Sequence, residues 1–430
     1  MTVRQAAGSF LVAAAFVSSW NAVQIYGVQP VDLFIAAAFA LSAFYLAGGR
    51  VPWIPAWAKW GSVSVLTVLV IHLIFPTAAS FMTQRYIYLA WYIRVGGLDP
   101  FETGTFNATK WLLAMTVVPV LVVDASRRNP GIVKRIANAW MLGAAVSAFI
   151  AVTDFLGITD INHLLIYIGM ATARQAGLAA HPNHLAMATA IVAPLAIGLT
   201  MKSRWKGLPV IVVLMMGEIV SGSRAGQAGF ILGVAGTLAF SHRARRFAPI
   251  MIVVVGIALS SVMWVNADIV ERAATLFRFS GGDQYLAKAN EERGDAFGQA
   301  IRDFQYRPLD GVGLEVINQA HSIYLQLIAS GGLILTVGML IYFFGVLRAG
   351  FAERRSPDPI GVYLLLCVCV WLAAGAFGTQ LTDRYLYFPV AGLAALQFHR
   401  LRQSRERRRV LREMAIARAI ELEQRAALTA

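Results

Sequence analysis

The residues best suited to chemistry in this chain sit where apolar runs begin. Arg174 precedes a run that opens His181, Pro182, Asn183, His184, and a second run opens Ser221, Gly222, Ser223, Arg224. His321, Ser322 and Tyr324 open a third, and Asp383 and Arg384 a fourth. If these runs are helices that start at one membrane face, their unpaired backbone N–H groups and positive dipole ends point there. Pro182 suits a first helical turn, a serine can cap, and Gly222 lets a ligand approach the backbone. An arginine in an apolar span costs about 2.5 to 3.5 kcal/mol at mid-membrane and less near the surface, so something must compensate for it. Helix N-termini with guanidinium groups make an anion site, and the planar fork matches phosphate oxygens two at a time. The chemistry these residues predict is recognition of a lipid-linked phosphate or pyrophosphate.

Blander roles compete with that one. Arg224 can anchor to headgroups or pair with Glu218, and Arg384 can pair with Asp383. His321 follows a glycine-bearing loop, PLDGVGLEVINQA, and nearby arginines would keep its ring neutral. A neutral imidazole accepts a proton from a sugar hydroxyl, a contribution of about 10² to 10⁴ in rate. His181 and His184, three residues apart with no Cys or acidic companion, are a weak zinc signal and read better as hydrogen-bonding contacts. The chain has no phosphate-loop motif, no H-E-x-x-H pair and no Gly-x-Ser-x-Gly elbow.

The elements that must position these residues follow from composition. The chain has 430 residues, 58% hydrophobic and 14% charged, with a mean hydropathy of +0.62. A soluble domain carries about 25% charge, so a single soluble core is excluded. The 24 Phe, 13 Tyr and 10 Trp exclude disorder. A net charge of +14 would suggest nucleic acid in a soluble protein; here it asks where the charges lie relative to a membrane. Cys367 and Cys369, two apart in one apolar run, do not face each other and offer no disulfide.

Hydropathy predicts an all-α polytopic membrane protein of about twelve spans, since each needs about 20 apolar residues. They fall near 8 to 28, 31 to 48, 61 to 77, 105 to 124, 133 to 157, 184 to 201, 207 to 221, 224 to 241, 247 to 265, 321 to 348, 358 to 378 and 384 to 399. With a cytoplasmic N-terminus, 25 of the 37 basic residues fall on the inner side and 12 on the outer, as the positive-inside rule requires. Residues 1–265 then hold spans one to nine with outer loops at 77–104 and 158–183. Residues 266–320 form an outer loop with helical stretches such as AFGQAIRDF, 321–400 hold the last three spans, and 401–430 form a basic cytoplasmic helix beside anionic lipid. Long loops are usually functional, which places the site on the outer face.

Four stretches look like the signature of the bacterial O-antigen ligase and polymerase superfamily. They are RQAGLAAHPNHLAMA (174–188), SGSRAGQAGFILGV (221–234), ERGDAFGQAIRDFQYRPLDGVGLE (292–315) and AHSIYLQLIASGGLI (320–334). The resemblance covers about residues 170 to 340. His181 departs from it, standing where the family more usually has Asn or Gly. The resemblance implies a glycosyltransferase of GT-C type in the inner (cytoplasmic) membrane, with its active site facing the periplasm. Such an enzyme moves a glycan from undecaprenyl pyrophosphate to an acceptor, which in O-antigen ligases is lipid A-core. By motif, His321 would activate the acceptor hydroxyl, and Arg224 and Arg174 would bind the pyrophosphate and stabilise its departure, with inversion. Ser221, Ser223, His181, Asn183, His184, Tyr324, Arg293 and Arg384 are the candidate substrate contacts. The first outer loop is nearly empty of carboxylates, so neither a metal nor a cofactor is expected. O-antigen or exopolysaccharide polymerases and protein O-oligosaccharyltransferases share these motifs. A lipid-linked glycan flippase is disfavoured, because the inner halves of the spans are nearly uncharged apart from Lys110 and Glu218.

Overall fold

The computed structural model describes residues 3–24, 28–46, 52–77, 100–165, 174–241, 244–246, 249, 284–317 and 320–429. Among these the chain is helical, with no β-strand. Helices α1 (Val3–Val17), α2 (Pro30–Leu46) and α3 (Ala56–Ile74) come first. The fourth, α4, covers Pro100–Leu112, passes through a π-helical turn at Leu113–Val117 and continues over Val118–Arg128. Then come α5 (Ile132–Phe155), a short α6 (Ile161–Leu165), α7 (Pro182–Lys202), α8 (Arg204–Ser221) and α9 (Arg224–Phe240). The last four are α10 (Gln284–Tyr306), α11 (Ile323–Glu353), α12 (Ile360–Ala374) and α13 (Tyr387–Thr429).

Six helices are long and apolar enough to cross a membrane: α3, α4 over Thr103–Arg128, α5, α7, α11, and α12 with its 3-10 extension to Phe377. Large apolar side chains at helical spacing stay exposed on α3 (Trp60, Val63, Leu66, Val70) and α11 (Leu333, Val337, Leu340, Phe344). A band like this belongs against lipid. The predicted ninth span, 247–265, lies outside the described residues except for residue 249. The predicted first span ends early, at Val17 instead of 28. Ser18 bonds back to the carbonyl of Ala15, the Trp20 indole donates to the Gly143 carbonyl, and Asn21 turns to the start of α7. These polar residues spend their hydrogen bonds on neighbours, which stops the helix. No break separates 321–400 from 401–430 either, because α13 runs straight through. With no Gly or Pro after Gly392, i,i+4 pairs such as Arg402–Glu406 (2.9 Å) and Arg409–Glu413 (2.8 Å) carry the helix onward.

Contacts fix which helix ends lie together. At one end the C-terminus of α4 meets α13 through Ser126 and His399, α5 meets the start of α12 through Lys134 and Asp358 (2.7 Å), and the end of α11 meets α13 through Glu353 and Arg400 (3.4 Å). Arg127, Arg128, Arg135, Arg354 and Arg355 gather there too, on the flanking turns. The opposite end holds the starts of α7, α9, α11 and α13 and the end of α8. Between the ends lies an aromatic centre, where buried Trp111 donates to Tyr387, Tyr387 donates to the Leu381 carbonyl, and Trp371 stacks edge-on against Tyr387 at 5.2 Å. Tyr342 donates to the Met115 carbonyl at 3.1 Å, supplying a partner where the π-helical turn disturbs the backbone ladder.

One irregularity sets the position of His321. Helix α11 is broken at Gly332 (φ 54, ψ −149), in a region open essentially to glycine alone. The backbone groups freed there are taken up by the PLDGVG loop. Val312 donates to the Ala329 carbonyl at 2.8 Å and Gly313 to Ser330 at 3.1 Å, while Leu333 and Ile334 donate back to Pro308 and Leu309 at 2.8 and 3.0 Å. The loop is itself anchored by Arg307, which donates to Asp310, to the Phe75 carbonyl (3.2 Å) and to Thr77 (3.1 Å). The half-helix carrying His321 is therefore aimed by this docking. A Cβ at Gly332 would lie 2.5 Å from the Leu309 carbonyl carbon. Gly332→Ala is accordingly expected to cost about 1 to 3 kcal/mol in backbone strain, plus the clash, and to lower the melting temperature in detergent micelles. A wild-type melting temperature would mean that the loop does not dock there.

Candidate functional site

The site forms where α7 and α9 both begin. Gly222 (φ 59) ends α8 in a left-handed turn, and the chain reverses at once into α9. Both serines of the Ser-Gly-Ser turn are used within it. Ser221 donates to the Glu218 carbonyl (2.7 Å) and accepts from the N–H of Ser223 (3.3 Å), and Ser223 accepts from the N–H of Gly226 (3.4 Å) as the cap of α9. Arg224 is the first residue of α9 and is exposed. Its suspected partner Glu218 is buried and takes its hydrogen bond from Thr189.

At the start of α7, His181 is the cap. Its Nδ1 accepts the backbone N–H of Asn183 at 3.0 Å, and Pro182 follows as the first helical residue. Asn183 turns its side-chain oxygen to Arg174, which donates to it at 2.6 Å and to the Ser221 carbonyl at 2.7 Å. One guanidinium thus ties the start of α7 to the end of α8.

Arg174, Asn183, Gly222, Ser223, Arg224 and Arg293, with Phe377, Gly378 and Gln380 after α12, line one cavity of about 380 Å³. Three arginines from three separate segments meet there, and among the described residues no carboxylate lines it. Two helix N-termini add positive dipole ends, although the first-turn N–H groups of α7 are themselves taken up by His181. The arrangement suits an anion with several oxygens, such as a phosphate or pyrophosphate. His321 and His181 do not themselves line the cavity; the turn carrying His321 is tied through Gln326 to the Thr379 carbonyl, between Gly378 and Gln380 of the cavity wall, and Arg174, Arg293, His184 and His321 act electrostatically on His181. Burial first, and these neighbours next, push protonation of His181 down to about 3, so its ring is neutral at physiological pH.

Other predicted contacts lie outside the cavity. Ser221 is fully buried in its turn. Tyr324 donates to the Leu372 carbonyl at 2.7 Å and clamps α11 to α12. Arg384 pairs with Asp32, not with Asp383, through two bonds of 2.8 and 2.7 Å, and is 4% exposed. Asp32 also accepts the N–H of Gln29, so the pair joins the start of α2 to the start of α13 and is structural. His184 faces Asn21 at 2.7 Å and Asp383 at 3.5 Å. Asn21 accepts the Ala180 N–H on its oxygen at 2.7 Å, which leaves its NH₂ to donate to His184 Nδ1. His184 therefore presents a lone pair there, and its approach to Asp383 is not a hydrogen bond in that tautomer. His181 and His184 gather no third ligand: among the described residues no group of three or more His, Cys, Asp or Glu is placed to hold a metal.

Two amides belong to the site's surroundings without being legible as such in the sequence. Buried Gln326 donates to the carbonyls of Ala320 (2.7 Å) and Thr379 (3.1 Å), which pins the turn carrying His321 to the segment after α12. Gln380, on the cavity wall, has a buried side-chain oxygen with no hydrogen-bond partner among the described residues. A lone amide inside an apolar run was the available signal for Gln326.

Fold and site together define a helical membrane protein with an arginine-lined cavity at the end opposite its basic tail. Set against known proteins, the chain matches no family model and no curated sequence.

Proposed function

We propose that this protein is an O-antigen ligase, which transfers a glycan from undecaprenyl pyrophosphate to lipid A-core at the periplasmic face of the bacterial inner membrane. The observation that carries the reading is the convergence of Arg174, Arg224 and Arg293 on one cavity with two helix N-termini, beside His321. The four motif stretches supply all three arginines and the histidine, which are spread over about 150 residues of the chain. The basic far end supports a cytosolic assignment for that side, and with it a periplasmic cavity. The reading includes about twelve spans, a GT-C architecture, membrane lipids as neighbours and no nucleic-acid partner.

The mechanism follows from charge. The acceptor hydroxyl attacks the anomeric carbon and its proton passes to His321. The bond from that carbon to the pyrophosphate oxygen breaks, and the arginines hold the charge that collects there. Direct displacement inverts the anomeric centre and needs no cofactor.

A deletion strain tests the reading against its neighbours. A ligase deletion is expected to leave lipid A-core bare while polymer accumulates on its carrier. Core bearing single repeat units would instead assign a polymerase, and unchanged lipopolysaccharide with altered glycoproteins would assign protein glycosylation. Loss of carrier-linked glycan from the outer leaflet would assign a flippase.

A further inference from the structure

The segment after α12 is held by its backbone and leaves one side chain uncommitted. Three successive carbonyls are taken: Gln326 donates to Thr379 (3.1 Å), the Trp371 indole to Gln380 (3.1 Å) and the Tyr387 hydroxyl to Leu381 (2.7 Å). The Gln380 side chain lines the arginine cavity and is 3% exposed, yet its carboxamide makes no hydrogen bond among the described residues. A buried amide without partners costs stability, and an apolar side chain of the same length avoids that cost. A Cβ on Gly378 would lie 2.6 Å from the amide oxygen, so this glycine leaves the space the amide occupies. The other side-chain oxygens on the wall are in use, that of Asn183 by Arg174 and that of Ser223 by the Gly226 N–H. Beside Gln380, Phe377 lines the same cavity and is 70% exposed.

A wall of this kind suits a sugar ring better than a phosphate. Phosphate oxygens only accept, and three arginines already serve them, so a phosphate would leave the amide oxygen stranded. A hydroxyl or an acylamino group both donates and accepts, and satisfies both ends of a carboxamide. The phenyl ring offers an apolar surface to the C–H face of a pyranose. Position agrees with chemistry. Gln326 bonds to Thr379 and to Ala320 together, so this segment joins the arginine wall to the turn carrying His321. In a displacement at the anomeric carbon, the sugar being moved lies between the departing pyrophosphate and the group that takes the acceptor's proton.

We propose that Phe377 and Gln380 form the subsite for the first sugar of the lipid-linked donor, with the Gln380 carboxamide bonded to the substituent on C2, the ring carbon next to the anomeric centre. The proposal rests on the transferase reading above and names what that cavity selects. Gln380 takes no part in bond making or breaking; it is a specificity-determining residue. A site built to hydrogen-bond a substrate group rejects the analogue lacking that group, because the buried amide is then left unpaired.

Gln380→Met keeps the length of the side chain and removes the amide. It is compared with wild type and Arg224→Ala as purified full-length protein, using lipid A-core and three undecaprenyl-pyrophosphate glycans whose first sugar carries hydroxyl, acetamido or hydrogen at C2. For each substituted donor, kcat/KM is divided by that of the deoxy donor, and the wild-type ratio by the Gln380→Met ratio, which cancels the donors' intrinsic reactivities. The quotient is expected to reach about tenfold for at least one substituent, the worth of one hydrogen bond, and the larger quotient identifies the group. The melting temperature of Gln380→Met is expected to equal or exceed that of wild type, because an unpaired buried amide is gone. Quotients near one overturn the proposal, whether the variant matches wild type or loses all three donors alike. A lower melting temperature that accounts for the loss overturns it too, and leaves Gln380 as a packing residue. Failure of the transferase reading looks different: wild-type protein transfers none of the donors, or Arg224→Ala transfers at full rate, and both readings fall together.

Discussion

His321→Ala is expected to retain the wild-type melting temperature and to lose glycan transfer by about 10² to 10⁴-fold. The fold should survive because the supports around this residue belong to other groups. Gln326 holds the Ala320 and Thr379 carbonyls, and the PLDGVG loop docks at Gly332. The ring is only half-buried, so its removal empties little core. What disappears is the group proposed to take the acceptor's proton. Lipopolysaccharide ladders from His321→Ala cells are the direct readout, with membrane content of the protein measured in parallel. A wild-type ladder at normal protein content would remove His321 from the mechanism.

The second large effect is expected at Arg224. Alanine there should cut kcat/KM by about 10² to 10³-fold, while lysine restores part of it. Lysine keeps the charge but lacks the planar fork that grips two phosphate oxygens. Stability should change little, because Ser223 caps α9, Arg224 is exposed, and alanine is the best helix former. Binding of undecaprenyl pyrophosphate to the purified variants tests the assignment: affinity should fall steeply with rising salt for wild type and less steeply for Arg224→Ala. Equal rates in wild type and alanine variant would end the donor role of this residue.

How much was legible in the sequence depended on whether a feature is local. The starts of α7 and α9 were readable because capping, Pro182 at the first turn and the Ser-Gly-Ser reversal are properties of a few adjacent residues. The long apolar runs were readable because length and hydropathy suffice. The Arg384–Asp32 pair was not, since its partners lie 352 positions apart and Asp383 was the nearer candidate. Tyr324 reads as a site residue because it lies three positions from His321 in the sequence, but it belongs to the first turn of α11 while His321 precedes the cap, and its hydroxyl turns to the Leu372 carbonyl of α12. Spacing alone groups His184 with His181, whereas the fold turns it to Asn21 and Asp383. The clearest unread signal was Gly331–Gly332 inside an otherwise continuous span: an interrupted helix frees backbone groups, and a glycine-rich loop of matching length was available to take them.

The account depends on the arginine cavity and His321 serving a single transfer reaction. The measurement that tests it most directly places purified wild-type protein with undecaprenyl-pyrophosphate-linked glycan and lipid A-core, with no energy source, and follows glycan on lipid A-core by mass. The account predicts transfer that requires His321 and Arg224. Lipid A-core that gains no glycan, from protein that binds both lipids, would contradict it.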